Sequence, residues 1–397
     1  MPLLNRIATL SRLLLRPDFH YLVRHRKDAP VPTAGDRDHA RAAVDWLLAA
    51  NGVCAGRGFS KLYSLKNRWF GPYVETTGYI IPTLSDFSRT DPHRRAEVTA
   101  AVRTSLDFLI SNQYPDGAFG DSWSADPRVY STRAPMVFDT GQVIFGLLDG
   151  HRSGDDGRCL DAARRAGDWL LQVQEADGRW EKFTYSGQAR TYYSRVGHAL
   201  AELWRATGAG KYREAALKQL RWVVLRQTPA GSFRDCSFTT DDMTVLHVIA
   251  YTLEGLWKAG EVLGEDEFRE ATRRGASALA RIQEEGGVLA GHYDPAWRAT
   301  DPARCLTGLA QMAEVWMLLH RAGGDPSFLR AADAAIDFLK QKQILDPSRK
   351  NLHGGLPGSH PWNGPYFPWA IPNWGQKFFI DALLLRERIR SGGGDRS

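Results

Sequence analysis

One pattern recurs along the chain and limits what it can become: an amphipathic helix ending in an aromatic or Leu pair, then Gln, then a Gly turn carrying an aromatic. Copies read DFLISNQYPDGAF at 107–119, DWLLQVQEADGRW at 168–180 and RWVVLRQTPAGSF at 221–233, with weaker ones, ALARIQEEGGVLAG and DFLKQKQI, at 278–291 and 337–344. An earlier VDWLLAANGV at 44–53 keeps the helix end and the Gly without the Gln. Copies lie about 50 to 60 residues apart, room for two helices and two loops.

A second set of helices alternates with the first, more apolar, richer in small residues, each opening on a polar cluster: ETTGYIIPTLSDF (75–87), FDTGQVIFGLLDG (138–150), YYSRVGHALAELW (192–204), MTVLHVIAYTLEGLW (243–257), CLTGLAQMAEVWMLL (305–319) and PNWGQKFFIDALLL (372–385). Helices apolar nearly all round are buried, whereas the charged, amphipathic set belongs outside. An open stack of hairpins leaves two apolar flanks bare, so the ring closes. The predicted fold class is all-α, an (α/α)6 toroid of six helical hairpins with an inner and an outer ring, spanning 31–390. Residues 1–30 form a basic amphipathic segment and 391–397 a disordered tail. The inner helices all run one way, so their N-terminal ends and the longest connections (115–137, 178–192, 231–243, 286–304 and 345–371) gather on one face, which is expected to hold one cavity.

Composition narrows the class. With 43% hydrophobic and 24% charged residues in 397, a large core is available. The net charge of +6 is scattered, with no nucleic-acid motif, so an acidic glycan or lipid-linked oligosaccharide is the expected partner and nucleic acid is not. Thirteen Trp serve either as core filler or as platforms for sugar rings. Cys54, Cys159, Cys236 and Cys305 lie far apart, without metal-ligand spacing, and read as reduced, buried thiols. Leu3, Leu4, Ile7, Leu10 and Leu14 with Arg6, Arg12 and Arg16 make the first 27 residues amphipathic. The segment either docks on the barrel or rests on a membrane surface, and it is neither a signal peptide nor a span. The expected location is the cytoplasm, including its membrane surface.

The Gln, Gly and aromatic turn resembles the repeats of squalene and oxidosqualene cyclases, and the whole chain is similar to the wider (α/α)6 toroid group. ETTGYIIPT, FDTGQV, HVIAYTLEGL, CLTGLAQMA and PNWGQKFFIDAL resemble a bacterial family of exopolysaccharide gene clusters, without a settled activity. Related toroids include polysaccharide lyases, unsaturated glucuronyl hydrolases and uronyl epimerases. The cyclase DxDD acid is reduced to Asp241 and Asp242 in TTDDMT, which disfavours cyclisation. Asp235, Cys236 and His247 only loosely echo the zinc ligands of prenyltransferases, so neither metal nor cofactor is expected.

The third and fourth inner helices carry Tyr192, Tyr193, Arg195 and His198, then His247 and Tyr251, at spacings that share a helix face. Facing one space, they suit uronate chemistry: Arg195 with Gln142 or Asn373 to neutralise a carboxylate, His198 or His247 as base, Tyr193 or Tyr251 as acid. Lyase and C5-epimerase chemistry need the same parts. Glycoside hydrolysis instead needs two carboxyls, and Glu75 with Asp139 is the candidate pair, Asp139 reading equally as a helix cap; Glu181 is a further loop candidate. Tyr79, Gln311 and Lys377, with Gln142 and Tyr192, are expected to bind substrate. The stretch at 352–374 reads as a roof whose His360, Trp362, Tyr366, Trp369 and Trp374 form sugar subsites, or as a plug. The predicted function is lyase or epimerase action on a uronic-acid polysaccharide or its precursor. Alternatives are a glycoside hydrolase, a non-catalytic glycan- or partner-binding toroid, and a terpenoid or prenyl enzyme.

Overall fold

The computed structural model describes residues 13–24, 34–154, 157–185, 187–239, 243–284 and 286–392. Most of the N-terminal amphipathic segment (1–12 and 25–33), Asp241 with Asp242, and tail residues 393–397 lie outside them. A short helix α1 (Pro17–Arg24) precedes the ring. The outer helices are α2 (Asp36–Val53), α4 (Arg95–Ser111), α6 (Arg158–Gln172), α8 (Gly210–Val224), α10 (Asp266–Ile282) and α12 (Pro326–Lys342). The inner ones are α3 (Val74–Thr90), α5 (Val137–Arg152), α7 (Ser194–Thr207), α9 (Leu246–Leu263), α11 (Leu306–Gly323) and α13 (Asn373–Arg390). Each inner helix packs on the next, and α13 packs back on α3 and α2, so the toroid predicted from the repeat is closed.

The repeated Gln explains how the hairpins are spaced. In each copy its amide nitrogen donates twice, to the Gly carbonyl of its own turn and to a carbonyl of the next outer helix. Gln113 reaches Gly117 and Ala162 at 2.9 and 2.8 Å, Gln174 reaches Gly178 and Ala215, Gln227 reaches Gly231 and Ala271, and Gln283 reaches Gly287 and Ala331. The fifth Gln closes the circle: Gln343 donates to Gly354 and, 304 positions back, to the carbonyl of His39 on α2. The turn Gly is demanded twice over. Gly117 has φ +99, and a Cβ there would sit 2.3 Å from the Arg165 carbonyl oxygen; at Gly354, φ +78, it would sit 1.7 Å from that of Ala42.

Charge and sheet seal the same seam. Buried Arg386 donates to Asp36 and Asp337, and Lys340 also meets Asp36 at 3.0 Å. Short antiparallel strands, unforeseen in the sequence, run through the long connections on the loop face. Among them Leu62–Ser64 pairs with Ala370–Pro372, joining the last connection to the first. Helix α1 docks there, Phe19 edge-on to Trp369 at 5.5 Å and Asp18 accepting from the Tyr63 hydroxyl. No described helix is long and apolar enough to cross a membrane. All four cysteines are buried. Trp46, Trp180, Trp257 and Trp316 are fully buried, so core filling accounts for these four rings.

Candidate functional site

Glu75 lies in the first turn of α3 and Asp139 in the first turn of α5, at the loop-face end of the lumen. Asp139 makes no capping bond. Thr140 takes the local backbone instead, bonding Phe119 and Met136, and frees the carboxyl of Asp139 to point inward. The Tyr185 hydroxyl, from the connection before α7, lies 2.5 Å from Asp139 Oδ1 and 3.1 Å from Glu75 Oε2. These two carboxyl oxygens are therefore no farther apart than those two bonds end to end, which is shorter than the roughly 6.5–9.5 Å of inverting glycosidase pairs. Tyr73, just before α3, donates to Glu75 and meets Tyr185 at 2.6 Å. Lys61 is a cation close by, 3.6 Å from Asp121 and over the rings of Tyr73 and Trp123 at 3.6 and 4.4 Å.

Electrostatics set these acids apart from ordinary carboxylates. Burial, reinforced by Glu75 and Asp121, pushes Asp139 well up. Glu75 is also raised by burial, against the opposing pull of its Tyr73 bond and Lys61. Burial lowers Lys61. One phenol proton cannot serve two carboxylates, so the set is complete when Asp139 holds a proton of its own. Its second oxygen has no hydrogen-bond partner and is buried. Trp123, Phe183, Tyr185 and Phe238, each 40–42% exposed, stand on the first three of the long connections at this face. They are flat surfaces of the kind sugars stack on.

Below this cluster an aromatic layer crosses the lumen. Tyr79, Tyr251 and Phe378 meet at ring distances of 5.7 and 5.8 Å, with Phe138 against Tyr251 at 5.3 Å. Tyr251 donates to Tyr79 (3.3 Å), whose hydroxyl reaches Glu75 at 3.4 Å. His247 lies on the loop side, stacked on Tyr251 at 4.1 Å and Tyr366 at 5.5 Å, its Nδ1 on Gln311 at 2.5 Å. Burial pushes His247 down to about 3, which leaves it neutral and a weak base.

Contrary to expectation, Arg195 and His198 do not share one space with His247. Arg195 and His198 lie beneath the aromatic layer: Arg195 is ion-paired with Glu254 and bonded to Gln142, and His198 faces Glu202 at 3.4 Å. The reason is depth. A 3-10 turn at Thr191–Tyr193 uses up the top of the third hairpin, so Ser194 at the start of α7 bonds the carbonyls of Tyr251 and Thr252, well down α9. Arg195 is therefore level with Glu254 rather than with His247. Tyr192 and Tyr193 pack on Phe138, and Tyr192 also on Phe238.

The sequence pointed to a cavity among the inner-helix starts, and the structure holds one at their opposite ends. A cavity of about 820 Å³ opens at their C-terminal ends, on the turn face, and takes in Arg195, His198, Lys377 and Tyr79. The stretch at 352–374 plugs the loop end more than it forms subsites. Tyr366 and Trp374 are buried and bonded to each other (2.7 Å), and Trp369 is covered by α1. Trp362 is half-buried, and His360 meets Phe338 edge-on. Asn373 ties the Ser60 carbonyl to Thr76. Glu181 pairs with Arg179 at 2.9 Å, away from the cluster. Among the described residues no group of His, Cys, Asp or Glu is placed to hold a metal, and Cys236 faces Thr252 while His247 faces Gln311.

Sequence reasoning passed over Lys61, Tyr73, Asp121, Tyr185, Glu254, Lys258 and Glu314. Charged residues inside apolar helices were the signal for the last three, since Glu254 and Lys258 share one face of α9 at i,i+4. Tyr73 and Tyr185 carried no such signal, because only the fold brings them together.

Residues 74–256 match the squalene-hopene cyclase C-terminal domain. Lanosterol synthase of Mus musculus is 29% identical over 171 residues, 41% of this chain and 22% of that enzyme. The matched segments span about a fifth of the length of the curated relatives. Among solved structures, an unsaturated glucuronyl hydrolase specific for heparin superposes with a TM-score of 0.70 at 14% identity, covering 90% of this chain and 98% of that one. Cellobiose 2-epimerase of Bacillus thermoamylovorans gives 0.67 at 14% identity, covering 87% and 98%. The chain is an (α/α)6 toroid, similar in sequence to terpenoid cyclases through its middle and similar in fold to toroids that process glycans.

Proposed function

We propose that this protein is a carbohydrate-active enzyme that cleaves a glycosidic bond at the loop face, with protonated Asp139 as general acid and Glu75 as its carboxylate partner. The observation that carries the reading is the sharing of the Tyr185 hydroxyl by these two buried carboxyls. Glycosidic cleavage uses such a pair: one carboxyl protonates the departing oxygen, and the other meets the developing positive charge at the anomeric carbon. Both carboxyls are raised by burial, Asp139 further, and that difference divides the roles. Asp139 has acids around it and an unpartnered oxygen, whereas Glu75 is held by Tyr73 and faces Lys61. Trp123, Tyr185 and Phe238 supply stacking surfaces, and Lys61 favours a substrate bearing a uronate, which fits the +6 net charge. The fold similarity to glucuronyl hydrolases and sugar epimerases supports a glycan substrate.

Elimination or C5 epimerisation of a uronate is the second reading. It is favoured by the phenol chain from Tyr251 through Tyr79 to Glu75, a path for a proton. Arg195 cannot neutralise the carboxylate from beneath the aromatic layer, so that task falls to Lys61. A terpenoid substrate would draw on the same aromatic layer and on the sequence similarity to cyclases. The test is a panel of uronate-containing oligosaccharides, assayed for reducing ends and for the ultraviolet absorbance of an unsaturated product. Reducing-end release lost in both Glu75→Gln and Asp139→Asn upholds hydrolysis. An unsaturated product, deuterium uptake at C5, or turnover of a polyprenyl substrate alone overturns it.

A further inference from the structure

The turn-face cavity belongs to no step of that chemistry, and it is built for a ligand. Its volume of about 820 Å³ lies within the usual range of ligand sites, roughly 300–1,000 Å³, and the C-terminal halves of all six inner helices line it. Six helix ends bring negative partial charge to this mouth. Five arginines answer it: Arg89, Arg152, Arg205, Arg321 and Arg388, from α3, α5, α7, α11 and α13. These arginines meet acids of the same rim, Arg89 and Arg388 at Asp86 (3.3 and 2.7 Å), Arg152 at Asp149 (3.5 Å) and Arg205 at Glu202 (2.5 Å) among them. A guanidinium offers five N–H donors, and single contacts of this kind leave most of them available.

The floor makes the opposite demand. Lys258 bridges Glu254 and Glu314 at 2.8 and 2.7 Å, and Lys377 holds Asp381 at 2.5 Å, so the buried cations are spoken for. Glu314 Oε2 and His198 Nδ1 have no hydrogen-bond partner, and both side chains are 8% exposed. A buried polar atom without a partner is a cost that a ligand removes by supplying one. A hydroxyl both donates and accepts, so one can satisfy Glu314 Oε2 and a second the imidazole nitrogen.

We infer that this cavity is a second ligand site, on the opposite side of the aromatic layer from Glu75 and Asp139. Its ligand is an anionic sugar, with a carboxylate or phosphate at the arginine rim and hydroxyls on Glu314 and His198. The experiment is calorimetric titration of the full chain with glucuronate, glucose 6-phosphate, glucose and inorganic phosphate. Glucuronate or glucose 6-phosphate binds, the better of the two naming the anion, and glucose and phosphate bind at least about tenfold more weakly. The double variant Arg152→Ala, Arg205→Ala, exposed and so tolerant of change, weakens binding about tenfold or more, whereas Glu75→Gln leaves it unchanged. Silence with both anionic sugars overturns the site. So does phosphate binding as tightly as glucose 6-phosphate, or binding that is lost in Glu75→Gln and kept in the rim variant. None of these readouts depends on turnover, so failure of the glycosidic reading leaves the inference standing.

Discussion

The two ends of the lumen hold similar side chains under opposite conditions. On the loop face, Glu75, Asp139 and Asp121 share one lysine, and burial drives Glu75 and Asp139 upward. Below the aromatic layer, Glu254 is just as buried yet lies well below the usual carboxylate range, because Arg195, Lys258 and Lys377 outweigh its burial. Glu314, which shares Lys258 with Glu254, is raised by burial. Cations matched to an acid build a strut, whereas acids that outnumber their cations are pushed toward the protonated form, the condition a general acid needs.

The comparison breaks in several ways, in descending order of effect. Turnover of a cleaved glycan falls by about 10²–10⁴ in Asp139→Asn, as expected on losing a general acid. The variant stays folded, which circular dichroism checks. Glu254→Gln does the reverse, leaving Arg195 and Lys258 buried beside a neutral amide. Unfolding by urea should show a loss of about 3–5 kcal/mol. A loss under 1 kcal/mol would mean that the lower network is no strut.

Gln343→Ala removes the bonds to the His39 carbonyl and imidazole that join the last hairpin to the first, with the one to Gly354 in its own turn, for about 1–3 kcal/mol by thermal or urea unfolding. Gln113→Ala, within the ring and half-buried, should cost less. Equal losses would show that closure has no special place.

Acid separates the two faces by sign. A raised folded pKa means stability that is full below the unfolded value and lost as pH rises through the folded one, as for Asp139. The depressed pKa of Glu254 means stability present above the unfolded value and lost as pH falls through the folded one. Asp139→Asn should therefore be more stable than the parent at pH 7, with the gap closing toward pH 4. The deficit of Glu254→Gln should shrink only in stronger acid, below the usual carboxylate range. Melting curves across pH read both, and parallel gaps would refute the contrast.

Much of this was open to a reader of the sequence. The Gln and Gly repeat marked the hairpins, and the inner helices begin within three residues of the positions their polar clusters suggested. Glu75 and Asp139 were visible as acids opening two neighbouring inner helices. The short strands were not, because two- and three-residue ladders leave no periodicity. Nor was Tyr185, whose place over two carboxyls is fixed by a connection packed against another hairpin. The aromatic stretch at 352–374 looked like a sugar cleft, since composition does not distinguish rings turned toward solvent from rings turned toward one another.

Periodicity by itself determined that this chain is a closed double ring, which helices are inner, and at which end their starts gather, because burial patterns and turn residues are local properties that neighbours read out. Depth was decided only by the tertiary structure. A helix rises about 1.5 Å per residue, so an offset of one or two turns between α7 and α9 sends Arg195 and His198 to the far side of the aromatic layer from His247. Spacing along one helix says which side chains share a face, but how high that helix sits in the ring depends on packing against its neighbours.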